Sequence, residues 1–198
     1  MNLKEMVVTA LAESARLKTE TQSRADIIIE AANLIAETFS RGGRLFIFGN
    51  GGSAADAQHL AAEFVNRFMI ERPPLPAVAL TTDTSVLTSI SNDYSYNEVF
   101  AKQIKALGRA GDMAWGLSTS GNSPNVNQAL SAARGMGIKP IVMTGAGGGE
   151  AKPLADVLLD VNSTATPRIQ EVHITMGHVI CELVDYILFQ KPGEDAGL

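Results

Sequence analysis

Five short apolar runs recur along the chain: Leu45 to Phe48, Ala77 to Leu80, Met113 to Leu117, Pro140 to Met143, and Val157 to Val161. Each has the length of a strand, and strands stay apolar throughout only when helices cover both faces of their sheet. Between them lie Ser53–Phe68, Glu98–Leu107 and Asn125–Met136, with enough alanine and leucine to form crossover helices. Buried strands alternating with helices predict an α/β fold: a three-layer αβα sandwich around a five-stranded parallel sheet.

Upstream of the first run, Ile27, Ile28, Ala31, Leu34, Ile35 and Phe39 fall at helical spacing and end at Gly42-Gly43. Residues 1–42 are read as an N-terminal extension of two helices. A final helix is expected from about Pro167 to Phe189, with Pro73-Pro74 as a loop and 192–198 as a tail. No linker or repeat divides the chain, so 1–198 reads as a single domain with its αβα core in 43–191.

A chain of 198 residues can bury about 70% of its unfolded surface, so it needs no disulfide or structural metal to hold a core. With one cysteine, Cys181, three histidines and no CxxC, zinc ribbons and iron–sulfur clusters are excluded. Any metal must then draw on carboxylate or amide oxygens. The lone thiol fits a reducing cytoplasm. A net charge of -5 with no basic stripe argues against nucleic-acid binding. The early Lys4 and Glu5 do not suit a leader, and no stretch reads as the ~18 apolar residues of a membrane span, so no membrane partner is expected.

Ligands of open parallel sheets bind beyond the carboxyl ends of the strands. Three loops there stand out. Gly49-Asn50-Gly51-Gly52-Ser53 lets a ligand approach the backbone, with Ser53 able to cap the next helix. Ser118-Thr119-Ser120-Gly121-Asn122-Ser123-Pro124 gathers five hydroxyl or amide side chains ahead of a helix, which can cradle a phosphate without Lys or Arg. Capping and turn closure alone is the alternative for that loop, and a plain turn is the favoured reading of Thr144 to Gly149. Neither matches the nucleoside-triphosphate fingerprint, and the first loop lacks the dinucleotide spacing with its acidic residue, which points to a small phosphorylated metabolite.

His59 and Glu63 lie four residues apart on one face of the helix after the first loop, where they can share a proton or a metal. The last helix carries Arg168, Gln170, Glu171, His173 and His178. Gln170 and His178 sit about 80° apart around that helix and about 12 Å apart along it. Either Gln170 reaches inward from a frayed helix start, or only one of the two binds an ion directly. His173 points away from His178 and is read as a packing residue, as is Cys181.

The segments GNGGSAADAQHLAAEF at 49–64, SNDY at 91–94, STSGNS at 118–123 and RIQEVH with the later GH at 168–178 resemble the sugar isomerase (SIS) domain family, and within it the phosphoheptose isomerases. The resemblance spans nearly the whole chain and implies a flavodoxin-like SIS fold. It implies one Zn2+ per subunit at His59, Glu63, Gln170 and His178. It also implies substrate contacts from Asn50, Gly51, Gly52, Ser53, Glu63, Asn92, Asp93, Ser118, Thr119, Ser120, Ser123 and Gln170. Further implied are a cytoplasmic homotetramer with sites at subunit contacts and the first step of heptose synthesis for bacterial lipopolysaccharide or capsule. The sequence departs at Thr166-Pro167, where some isomerases carry an acidic residue.

The chemistry expected from this set interconverts sedoheptulose 7-phosphate and D-glycero-D-manno-heptose 7-phosphate through an enediol, with Glu63 as base and His178 as acid. Glu63 cannot be a tight ligand and a free base at once, and the sequence leaves that choice open. The rival readings are a non-catalytic sugar-phosphate-binding or replication-initiator-binding SIS protein, and an isomerase of another sugar phosphate.

Overall fold

The computed structural model describes residues 2–190, and the expected 192–198 tail lies outside the described residues. Five parallel strands, β1 (Leu45–Gly49), β2 (Ala77–Ala79), β3 (Met113–Ser118), β4 (Lys139–Thr144) and β5 (Val157–Asp160), pair in the order β2-β1-β3-β4-β5. The central register pairs Leu45 with Met113 and Gly49 with Leu117. The expected three-layer sandwich is present.

Alternation along the strands divides the core in two. Leu45, Ile47, Met113, Trp115 and Leu117 face helices α1 (Leu3–Glu20), α2 (Ala25–Ser40), α3 (Gly52–Val65) and α7 (Thr166–Asp185). Phe46, Phe48, Ala114 and Val142 face α5 (Val99–Leu107) and α6 (Pro124–Gly135) on the other side. Trp115, Phe46 and Phe48 are completely buried, each side chain of this kind contributing about 1.5–3 kcal/mol relative to exposure.

The structure adds a helix not expected from the sequence, marked only by the short stripe Val86, Leu87 and Ile90. Helix α4 (Thr84–Asp93) buries none of its residues and starts where the Asp83 carboxylate accepts the Val86 N–H at 2.9 Å. Helix α3 stops at Val65, short of the expected Phe68. The last helix is α-helical only to Asp185 and continues as a π-helical turn, Tyr186–Gln190. Between β4 and β5 there is only a 3₁₀ segment, Gly149–Leu154.

One expectation needs correcting. The 25 residues from Thr166 to Gln190 have a mean hydropathy of 1.4 over an 18-residue window and are long and apolar enough to cross a membrane. The sequence predicts no stretch approaching the ~18 apolar residues of a membrane span. The physical reason for the apolarity is burial: Ile169, Val172, Met176, Ile180 and Val184 fill the core beside α2 and α3.

Candidate active site

Strand order reverses between β1 and β3, and a parallel sheet opens a crevice at that switch point beyond the strand ends. The first glycine loop and the hydroxyl loop follow those two strands. In the first loop Asn50 is tied down from both sides. Its Nδ2 donates to Asn125 Oδ1 at 2.9 Å, and Asn125 Nδ2 donates back to Asn50 Oδ1 at 2.8 Å. The Tyr96 hydroxyl also donates to Asn50 Oδ1 at 3.1 Å, so little of the Asn50 amide is left over for a ligand.

Ser53 does not cap α3 as expected. Gly51 is the cap residue, without a side-chain hydrogen bond, and Ser53 lies inside the first turn, buried behind Gly49. Gln170, the fifth residue of α7, sets its amide against Gly52, close enough that a Cβ there would stand 2.5 Å from Nε2. The structure therefore joins Gln170 to the first loop.

In the hydroxyl loop Ser118 Oγ and Ser123 Oγ are 3.0 Å apart, and Ser120 Oγ accepts the Asn122 N–H at 3.1 Å. Ser123 is the N-cap residue of α6 and makes no side-chain cap bond there. Its hydroxyl turns toward Ser118, so capping alone does not explain this residue. The loop rests on the Thr144–Gly149 turn: Gly145 N–H donates to Thr119 O at 2.9 Å and Glu150 N–H to Asn122 Oδ1 at 2.9 Å. That third loop thus has the supporting role expected of a turn.

Helices α3 and α7 bring the titratable groups together. His59 Nε2 lies 2.8 Å from His178 Nε2 and 3.4 Å from Glu63 Oε1. One atom from each of the three falls within 4.8 Å of the others. Two imidazole nitrogens and a carboxylate converging on one point form the donor set that suits zinc. The Phe68 ring stacks on the His178 imidazole with centroids 5.6 Å apart. One turn before His59, burial pushes the Asp56 carboxyl up, while His59 pulls it back.

Asn92 and Asp93 end α4, both exposed, with Asn92 Nδ2 donating to Asp93 Oδ1 at 2.8 Å. His173 is fully buried and its Nε2–H donates to the Thr144 carbonyl at 3.0 Å. Burial lowers its pKa from 6.5 to about 4, which leaves it neutral. Burial likewise pushes the Cys181 thiol up, aided by the charges of Glu63 and Asp185, so both residues pack as expected.

The SIS domain family model matches residues 11–145. A phosphoheptose isomerase from Nitratidesulfovibrio vulgaris (strain Miyazaki F) is 56% identical over 191 residues, 96% of this chain and 92% of its own length. The chain belongs to the phosphoheptose isomerases of the SIS domain family. The solved phosphoheptose isomerase of Neisseria gonorrhoeae superposes with a TM-score of 0.88 at 46% identity, over 93% of this chain and 99% of that one. The Francisella tularensis enzyme reaches 0.90 at 34% identity with the same coverage.

Tyr96, Asn125, Phe68 and Asp56 are members of the site neighbourhood that the sequence reading missed. Asn125 carried a signal, being an amide at the helix start directly after the hydroxyl loop. Tyr96 carried none.

Proposed function

We infer that the chain is an aldose-ketose isomerase that interconverts sedoheptulose 7-phosphate and D-glycero-D-manno-heptose 7-phosphate. The observation that carries this reading is the convergence of His59, Glu63 and His178 beside a hydroxyl-lined loop, in a chain 56% identical to a phosphoheptose isomerase.

Moving a proton between C1 and C2 of a sugar needs a base near carbon and a donor near oxygen. Glu63 is the base and His178 the acid that protonates the neighbouring oxygen. Ser118, Thr119, Ser120 and Ser123 hold the phosphate at the start of α6, where helix amides and hydroxyls supply positive potential without a cation. Gly51, Gly52, Gln170, Asn92 and Asp93 position the sugar, with Asn50 and Ser53 acting chiefly through the shape of the first loop. The phosphate end fixes the substrate so that its reacting carbons meet the acid and base.

His59, Glu63 and His178 would hold Zn2+ in the sugar-free site, joined by Gln170 as the resemblance implies, with Glu63 and His178 free of the ion when they act as base and acid. When bound, the ion would polarise the sugar carbonyl and stabilise negative charge on its oxygen. A homotetramer in the cytoplasm completes the proposal. Exposed Leu3, Met6, Val7, Val8 and Leu11 along α1 support association between copies, and the product feeds heptose synthesis for surface polysaccharide.

A non-catalytic sugar-phosphate or initiator-binding role would need no Glu63 opposite His178, so their closeness favours the enzyme. Incubation of purified protein with sedoheptulose 7-phosphate, followed by NMR detection of the aldose, tests the reading. Expected is aldose formation with a higher kcat/KM than for hexose or pentose phosphates. Binding without turnover would indicate the non-catalytic role, and a higher value on a shorter sugar would reassign the substrate.

A further inference from the structure

Helices α3 and α7 run side by side in the same direction, and three contacts set their spacing. At the start, Gln170 rests on Gly52. Midway, the bare backbone of Gly177 admits Leu60, whose Cδ2 would lie 2.6 Å from a Cβ at that position. At the far end stands Arg72, in the loop after α3.

The Arg72 guanidinium is buried, its side chain 1% exposed and that of its partner Asp185 5% exposed. Its Nη2 donates to the Glu63 carbonyl at 2.8 Å, and its Nη1 to the carbonyls of Phe64 at 2.6 Å, Asn66 at 3.2 Å and Pro73 at 3.2 Å. Its Nε donates to Asp185 Oδ1 at 2.9 Å. Asp185 closes α7 seven residues after His178, on nearly the same helix face. One fork therefore grips the backbone of Glu63 and the helix of His178 together.

The last carbonyls of a helix have no partner within it and carry partial negative charge, which explains why a cation sits at this end of α3. It does not explain the anion. A water-facing lysine could have satisfied the same carbonyls, and a buried ion pair gives little net stability over an apolar pair of similar volume. What the pair adds is a fixed distance between two helices.

We propose that the Arg72–Asp185 pair is a positioning device for the isomerase reaction, setting where Glu63 stands relative to His178. The proposal rests on the reading of Glu63 and His178 as the reacting pair. Both side chains are buried, which leaves them almost no surface for a substrate to touch. The phosphate loop hangs on β3 and α6, whereas the hydrogen bonds of Arg72 go to Glu63, Phe64, Asn66, Pro73 and Asp185, so the device governs turnover and leaves phosphate capture alone.

Arg72→Lys keeps the charge but loses the planar fork, and Asp185→Asn keeps an acceptor but loses the charge. Both are to be checked by thermal unfolding and assayed with sedoheptulose 7-phosphate beside Glu63→Gln. In folded protein kcat should fall about 10- to 100-fold, as expected for a displacement of about 1 Å, while KM stays within about twofold. A purely structural role would lower the unfolding temperature and leave both constants of the folded protein unmoved. Should Arg72→Lys fail to fold, Asp185→Asn carries the same test. If Glu63→Gln is inactive yet the two variants keep parental kcat, or lose only KM, the positioning role is overturned and the site reading stands. If Glu63→Gln retains turnover, the site reading fails and the proposal falls with it.

Discussion

Gly121 lies where the phosphate loop crosses its supporting turn, and replacing it with alanine tests whether that contact shapes the site. Its φ is +66°, a region in which an L side chain costs roughly 1–2 kcal/mol. A Cβ there would meet the Gly148 carbonyl, lying 2.6 Å from its carbon and 3.0 Å from Gly149 N, closer than real Cβ atoms come to backbone. Because both sides are backbone, the loops must part, and forced overpacking of this kind adds about 1–3 kcal/mol. Together these give Gly121→Ala a loss of about 2–5 kcal/mol, or roughly 4–20 °C in Tm for a chain of this size. The displaced loop carries Ser118, Ser120 and Ser123, so kcat/KM should drop by about 100-fold, mostly through KM. Differential scanning calorimetry and steady-state kinetics on sedoheptulose 7-phosphate read both effects. A variant with parental Tm and KM would refute the claim that the third loop supports the phosphate cradle.

Arg72→Met strands the Asp185 carboxylate in the core and should destabilise by about 3–5 kcal/mol in urea titrations, with Arg72→Met/Asp185→Leu recovering only the part due to the stranded charge, because the Glu63 and Phe64 carbonyls stay without their donor. His173 has its folded pKa lowered from 6.5 to about 4, so the unfolded chain binds the proton more tightly. Its contribution is complete above pH 6.5 and is lost as pH falls toward 4, worth ~3 kcal/mol across that window. In His173→Asn the slope of stability against pH between 6.5 and 5 should flatten, as monitored by denaturant unfolding. His59→Ala and His178→Ala each remove a nitrogen from the triad, and zinc binding measured by elemental analysis and competition with a chelator should weaken by at least about 100-fold. Tyr96→Phe removes one of the two bonds to Asn50 Oδ1, a loss of about 0.5–1.5 kcal/mol by thermal unfolding.

The sheet was legible because burial on both faces makes strands apolar from end to end, and each expected run lies within one residue of its strand ends. Helix α4 was not, because its apolar stripe is only the half-buried Val86, Leu87 and Ile90, the last two packed against the core on the α5 and α6 side, in an otherwise polar Thr84–Asp93 sequence that resembles a loop. Of the candidate site, His59 and Glu63 were legible as an i, i+4 pair on one helix. Their closure by His178, 119 residues away, came from the family resemblance, since periodicity cannot dock one helix on another. The same limit hid the Asn50–Asn125 exchange and the Arg72–Asp185 pair, whose partners lie 75 and 113 residues apart. Ser53 misled because its type suits a cap, whereas Gly51 takes that position and leaves Ser53 buried.

The most direct test of Glu63 and His178 as the acid–base pair is the turnover of Glu63→Gln on sedoheptulose 7-phosphate, measured with binding of the same sugar by isothermal titration calorimetry. Amide for carboxylate keeps the shape and removes the base, so kcat should fall by about 10²–10⁴ while the sugar still binds. Turnover near the parental rate in a folded, sugar-binding Glu63→Gln would contradict the assignment of Glu63 as the base.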